Sequence, residues 1–139
     1  MKKKTILKNE KGFTLIEIIA VLIILGILAA VAVPRYMDLA TEAKIRAAEG
    51  QVAEMKSSLN LAYAKFFIKT GAAPTAASDL LGADYLNQTS GTAFDIGTSP
   101  DIWNVTLTAA TTVMTVAVNS RDTDTDYAAS GTWNIPTGG

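Results

Sequence analysis

The feature that most constrains this chain is the run from Phe13 to Val33, FTLIEIIAVLIILGILAAVAV, in which only Thr14 and Glu17 are polar. Wound as a helix it would be roughly 31 Å long, about the thickness of a bilayer's hydrocarbon core. Leu, Ile, Val and Ala dominate every face, so this is no surface helix hiding one stripe from water. The segment needs lipid, or an enclosure of other apolar helices. Before it stands MKKKTILKNEKG, with five of the chain's 12 basic residues and a single acidic one, Glu10. A lysine-rich leader stays on the cytoplasmic side and sends the C-terminal part outward. From Thr70 to Gly139 there are seven acidic residues and one basic residue, Arg121. The net charge of −1 therefore averages a basic leader against an acidic, exported remainder.

The helical pattern continues past Pro34. Ile45, Ala48, Val52, Met55, Leu59, Ala62 and Phe66 recur in alternating steps of three and four, one apolar stripe for packing on a head domain. Glu42 and Arg46 have the i,i+4 spacing of a helical ion pair. The helix should end near Thr70-Gly71, because Gly is a natural stop and Pro74 follows. Residues 72–100 read as a long connection, with one short helix around 77–81 and Leu80, Leu81, Tyr85 and Leu86 as anchors. After Asp101 the period changes to two. Trp103, Val105, Leu107 and Ala109 form one strand, and Met114, Val116 and Val118 a second after a turn at Ala110-Thr111. Gly131 to Ile135 adds another. The expectation is an α+β fold: a long N-terminal α-helix, half transmembrane and half amphipathic, packed on a small antiparallel sheet. Its parts are a leader (1–12), an apolar helix (13–34), its amphipathic continuation (35–70) and a head (71–139).

With no cysteine and no histidine, the chain has no disulfide framework, no thiol nucleophile and no imidazole base. No Ser is bracketed by a base at motif spacing, so no catalytic residue is assigned and the chain is read as a non-enzyme. The near-neutral charge implies no direct nucleic-acid binding.

Two features exceed a generic anchor. Glu17 is a carboxylate near the start of an otherwise uncharged span, where an acidic group needs a partner. Lys11-Gly12 places a small residue between the charged leader and Phe13. Together they suggest a cut after Gly12, which creates an amine on Phe13 roughly 6 Å along the helix from Glu17. Paired within one chain or between packed neighbours, Glu17 becomes a registration device. Thr14 reads as a minor contributor whose hydroxyl can bond a backbone carbonyl, and Pro34 as the site of a bend or break.

KGFTLIEIIAVLIILGILAAVAVP resembles the N-terminus of type IV prepilins and of the related type II secretion pseudopilins. The resemblance is close from Lys11 to about Leu39 and only architectural beyond. It implies a pilin-like fold, cleavage after Gly12 and N-methylation of Phe13 by a prepilin peptidase, and pairing of Glu17 with a neighbouring subunit's Phe13 amine during assembly. It also implies a helix unwound between Gly26 and Pro34 in the filament, and no enzymatic activity. The implied partners are identical subunits, the peptidase/methyltransferase, and an inner-membrane assembly platform with its ATPase. The implied locations are the inner membrane, then an extracellular filament used in adhesion, motility or DNA uptake.

The first reading is thus a type IV pilus subunit; the second is a major pseudopilin, in a periplasm-spanning pseudopilus. The missing cysteine pair fits pseudopilins and disulfide-free pilins. The lack of an aspartate-proline-tryptophan stretch and the sequence VPRYMDL (33–39) favour a pilin. A third reading is a secreted soluble protein cut after Ala30-Val31-Ala32, although Glu17 interrupts that apolar run and its length exceeds an ordinary signal.

Asp122, Asp124 and Asp126 stand at alternate positions, a clustering of oxygen ligands that calcium uses, and resemblance to major pseudopilins implies such a site in the C-terminal loops. As an EF-hand the stretch fails, with Tyr127 at the required Gly and Trp133 at the final Glu, and a solvated acidic loop is the preferred reading. Asn87 and Asn104 each begin a glycosylation triplet, which chance supplies often. Tyr36, Tyr63, Phe66, Phe67 and Tyr85 are read as helix-face packing rather than a conductive path.

Overall fold

The computed structural model describes residues 12–136. The chain divides into two units, Met1–Leu39 and Ala40–Gly139. One helix, α1 (Leu15–Thr70), contributes to both. Only Gly26, Pro34 and Gly50 interrupt an otherwise helix-compatible sequence, and α1 runs unbroken through all three. The break expected at Gly26 and Pro34 is absent from the single chain. Pro34 forfeits one i→i−4 bond, and the bonds on either side of it carry the helix across that gap. Unwinding within a filament is a separate matter.

Among the described residues of the first unit no side chain is buried. In the second, α1 lies on a four-stranded antiparallel meander, β1 (Ala93–Ile96), β2 (Trp103–Ala109), β3 (Val113–Arg121) and β4 (Ala129–Asn134), in that spatial order. The helix contributes Ala48, Val52, Met55, Leu59 and Ala62 to the core, five of the seven stripe positions; Ile45 and Phe66 are half-buried at its ends. The sheet answers with Val105 and Leu107 from β2, Met114, Val116 and Val118 from β3, and Trp133 from β4. Their period of two is the alternation read from the sequence. The β2–β3 hairpin closes where Ala110 N–H donates to the Val113 carbonyl at 2.8 Å, beside the expected turn.

Two contacts bind sheet to helix. Trp133 Nε1 donates to Asn60 Oδ1 at 2.8 Å, which satisfies the indole as its ring is buried. Gly131 lets β4 come close: a Cβ there would sit 3.0 Å from Val52 Cγ1 and 2.7 Å from Lys56 Nζ.

The helix stops as expected, with Gly71 at φ 73° and its N–H on the Phe67 carbonyl at 2.8 Å. Beyond it a single 3₁₀ turn, Ala77–Leu80, buries Ala77 and Leu80, and Leu81 follows them into the core. Asp79 holds this turn by accepting the Thr75 and Ala76 amides, each at 3.0 Å. Tyr85 and Leu86 pack at the core's edge. One expectation is corrected. Residues 72–100 are not all connection, because β1 forms there and pairs with β2 from Ala93↔Thr106 to Ile96↔Trp103. The turn that returns it requires Gly97, at φ 96°, where a Cβ would clash with the Asp101 carbonyl.

Candidate assembly site

The start of α1 is built from four residues. Thr14 precedes the first helical residue, and its hydroxyl accepts the Glu17 amide at 3.3 Å. In return Glu17 Oε2 accepts the Thr14 amide and the Thr14 hydroxyl, each at 2.8 Å. This reciprocal capping box satisfies amide donors that a helix N-terminus leaves without partners. Ile18 N–H on the Thr14 carbonyl, at 3.3 Å, then opens the helical ladder. Phe13 and Ile18 stand at the spacing of a hydrophobic staple around the cap and line one shallow recess with Glu17, Ala20 and Val21.

The geometry changes the reading of Thr14. Its hydroxyl caps the helix instead of bonding a carbonyl, and Glu17 has an intrachain partner before any assembly. The signal was in the sequence, since Thr14-Leu-Ile-Glu17 ahead of an apolar run is the capping-box pattern. Glu17 sits where a carboxylate also complements the positive end of the helix dipole. Gly12 and Phe13 lie before the cap and are exposed, so the expected cut falls in extended chain outside the helix. The rest of the leader, residues 1–11, lies outside the described residues.

Along the first unit the apolar side chains face outward on all sides. Phe13 is 83% exposed, and Leu15, Leu22, Ile27, Val31, Tyr36 and Leu39 are all more than half exposed. α1 is long and apolar enough to cross a membrane by length and composition.

A second cluster lies in the other unit, where α1 meets the acidic segment after β3. Lys44 Nζ is 2.6 Å from Asp124 Oδ2 and 3.2 Å from Asp126 Oδ2, and 5.5 Å from the centre of the Tyr127 ring. Asp124 Oδ1 accepts the Asp126 amide at 2.9 Å. The Lys44 hydrogen bond, helped by that amide, holds the Asp124 carboxyl below its ordinary value, and the Asp124 and Asp126 bonds push the Lys44 ammonium up. Asp122 turns elsewhere: at φ 51° its N–H donates to the Ile102 carbonyl at 2.7 Å and its Oδ1 accepts the Ile102 amide at 3.4 Å. Arg121 pairs with Asp101 and lies beside both the Trp103 and Tyr127 rings, 5.5 and 5.3 Å from their centres. The three aspartates therefore do not converge, and among the described residues no three acidic groups could hold a metal. Lys44 was not singled out from the sequence. Eighty positions separate it from Asp124, and no local spacing signals that contact.

The aromatic residues divide. Tyr63 meets Trp133 edge-on at 6.4 Å and Phe66 meets Tyr85 at 5.3 Å, as packing predicts. Tyr36 and Phe67 are exposed, so packing within the chain does not account for them. Asn104 sits in β2 with its amide donating to Asp95 at 2.9 Å, while Asn87 occupies a turn at φ 52°.

A family model described as the prokaryotic N-terminal methylation motif matches residues 7–33, the span that carries the expected cut, the capping box and the apolar run. Over those residues the chain carries that motif. The chain is similar to the type II secretion system core protein G of Pseudomonas aeruginosa, 43% identical over 54 residues, which cover 39% of this chain and 38% of that protein. It is similar to fimbrial protein Q of Moraxella bovis, 39% identical over 84 residues, covering 60% and 52% of the two chains. With the type IV narrow pilus major component PilA5 of Thermus thermophilus it shares 29% identity over 119 residues, 80% of this chain and 99% of that one. The matches to core protein G and fimbrial protein Q thus span between about a third and a half of those relatives' own lengths. No solved structure matches the chain.

Proposed function

We propose that the chain is the repeating subunit of a type IV pilus. A prepilin peptidase cuts it after Gly12 and methylates the new amine of Phe13. The subunit waits in the inner membrane and is then drawn by an assembly platform and its ATPase into an extracellular filament of identical copies. The observation that carries this reading is the outward-facing apolar surface of α1 from Phe13 to Leu39, which begins at a capped carboxylate. A surface that is apolar on every side has two stable environments, lipid and a bundle of its own kind, and polymerisation exchanges the first for the second. No side chain in the chain is assigned catalysis; its role is packing.

Glu17 serves this exchange. Cleavage places a cation one residue before Thr14, within reach of the carboxylate that now holds the cap. A neighbour's Phe13 amine, arriving in register, offers the same carboxylate a charged donor, and an amine out of register leaves a charge without compensation in an apolar core. The alignment along nearly the whole length of a pilus major component supports the pilus. A pseudopilin of the type II secretion machinery is the second reading, supported by the identity to core protein G across the N-terminal segment.

Intact-mass measurement on the exported protein tests the reading. A mature chain starting at methylated Phe13 is expected; a start at Val33 would mean an ordinary secreted protein and overturns it. In the same cells, Glu17→Ala should leave processing intact and reduce filament yield at least tenfold, on the order expected for one uncompensated charge. Wild-type yield from that variant removes Glu17 from the mechanism. Recovery from sheared surface fibres separates a pilus from a pseudopilus retained in the periplasm.

A further inference from the structure

Calcium, implied for the C-terminal loops by the likeness to major pseudopilins, does not fit the residues present. It takes six to eight oxygen ligands at about 2.3–2.6 Å. Here Asp124 and Asp126 both face an ammonium, and the third aspartate is committed to the Ile102 backbone. Lys44 Nζ lies 2.6 Å from Asp124 Oδ2, so an ion bound to that oxygen would occupy the ammonium's place.

We infer that Lys44 is the built-in counter-cation of the acidic loop: carried on α1, its ammonium supplies the positive charge that holds Asp124 and Asp126 together, in place of a divalent ion. Three arrangements make the ammonium more than a surface ion pair. It bridges two carboxylates that repel each other, at 2.6 and 3.2 Å. It lies over the Tyr127 ring, which joins the loop's aromatic residue to the same cation. Its main partner, Asp124, is pinned by backbone as well, through Asp124 N–H on the Arg121 carbonyl at 2.9 Å and Arg121 N–H on the Asp124 carbonyl at 3.1 Å. Arg121, the other cation beside the loop, is engaged by Asp101 and does not replace Lys44. The consequence is a head whose acidic loop is ordered at any calcium concentration, because its cation is covalently attached and cannot be chelated.

The full-length chain in detergent micelles tests this, with thermal unfolding followed by tryptophan fluorescence. Trp103 meets Tyr127 edge-on at 5.6 Å and so reports on the loop. Wild type should melt at the same temperature in EDTA and in millimolar calcium chloride. Lys44→Met, which keeps the aliphatic stem and removes the charge, should melt lower in EDTA and regain part of the loss in calcium. A wild-type midpoint raised by calcium overturns the inference, as does a Lys44→Met chain that melts like wild type or ignores calcium. If Lys44→Met does not fold, Lys44→Arg decides: a folded, calcium-indifferent Lys44→Arg chain sustains the inference, and one that needs calcium overturns it.

Discussion

At the scale of single residues, the most informative pair is Thr14 and Glu17. The carboxylate that the sequence marks as an anomaly in an apolar span proves to be half of a capping box, with its hydrogen-bond donors in its own chain. Thr14→Ala removes the hydroxyl that accepts the Glu17 amide. An N-cap of this kind is worth about 1 kcal/mol, so hydrogen exchange at that amide in micelles should quicken about fivefold. Unchanged exchange would mean the cap is absent in lipid. Gly131 is the second decisive residue. Val52 Cγ1 would lie 3.0 Å from a Cβ at that position, and only the Lys56 ammonium, at the end of a flexible stem, can swing away. Gly131→Ala should therefore be tolerated with a small loss. Gly131→Val should cost roughly 1–3 kcal/mol through overpacking, read as a lower melting temperature of the full-length chain.

At the scale of elements, what the sequence revealed and what it hid have physical causes. The stripe from Ala48 to Ala62 and the alternation of Val105, Leu107, Met114, Val116 and Val118 were legible because each element buries one face and solvates the other. β1 was not. It has four residues, lies at the sheet edge and sits among Ala, Thr, Ser and Gly, so Phe94 and Ile96 give too short an alternation to stand out. The helix continues past Pro34 as its pattern implied, and one lost hydrogen bond in a long helix does not end it. The Thr14–Glu17 cap was legible as a local spacing, whereas Lys44 was not, because its meeting with Asp124 and Asp126 depends on the fold.

The helix is tied to the loops by ion pairs whose pH response has a definite sign. Asp84 is held low by Lys69, at 2.5 Å, and Asp124 by Lys44. Carboxyls with depressed values contribute stability in full above their ordinary value of 3.8, and lose it as pH falls through the lower folded value. Lys44 and Lys69 are raised, so their contribution is complete below 10.5 and fades as pH climbs past their folded values. Melting temperature should be flat between these limits and fall at both ends. The acid limb should be shallower in a Lys44→Met, Lys69→Met double variant, whose carboxyls return to ordinary behaviour. An acid limb unchanged in that variant would show that these pairs do not couple to folding.

At the scale of the whole molecule, two units divide the labour. One exposes apolar surface and, among its described residues, buries none; the other has a closed core and an acidic exterior. Loss of residues 1–12 removes five of 12 basic residues and one of 13 acidic ones, leaving seven against twelve. The remaining chain would then carry a side-chain charge of −5. The most direct measurement is a cryo-electron microscopy map of fibres sheared from cells that produce the chain. The account predicts fibres of this chain alone, with the Phe13–Leu39 segments of neighbouring copies packed on one another at the core and Glu17 beside a Phe13 amine. Fibres in which that segment faces solvent, or a chain recovered only as a soluble monomer, would contradict it.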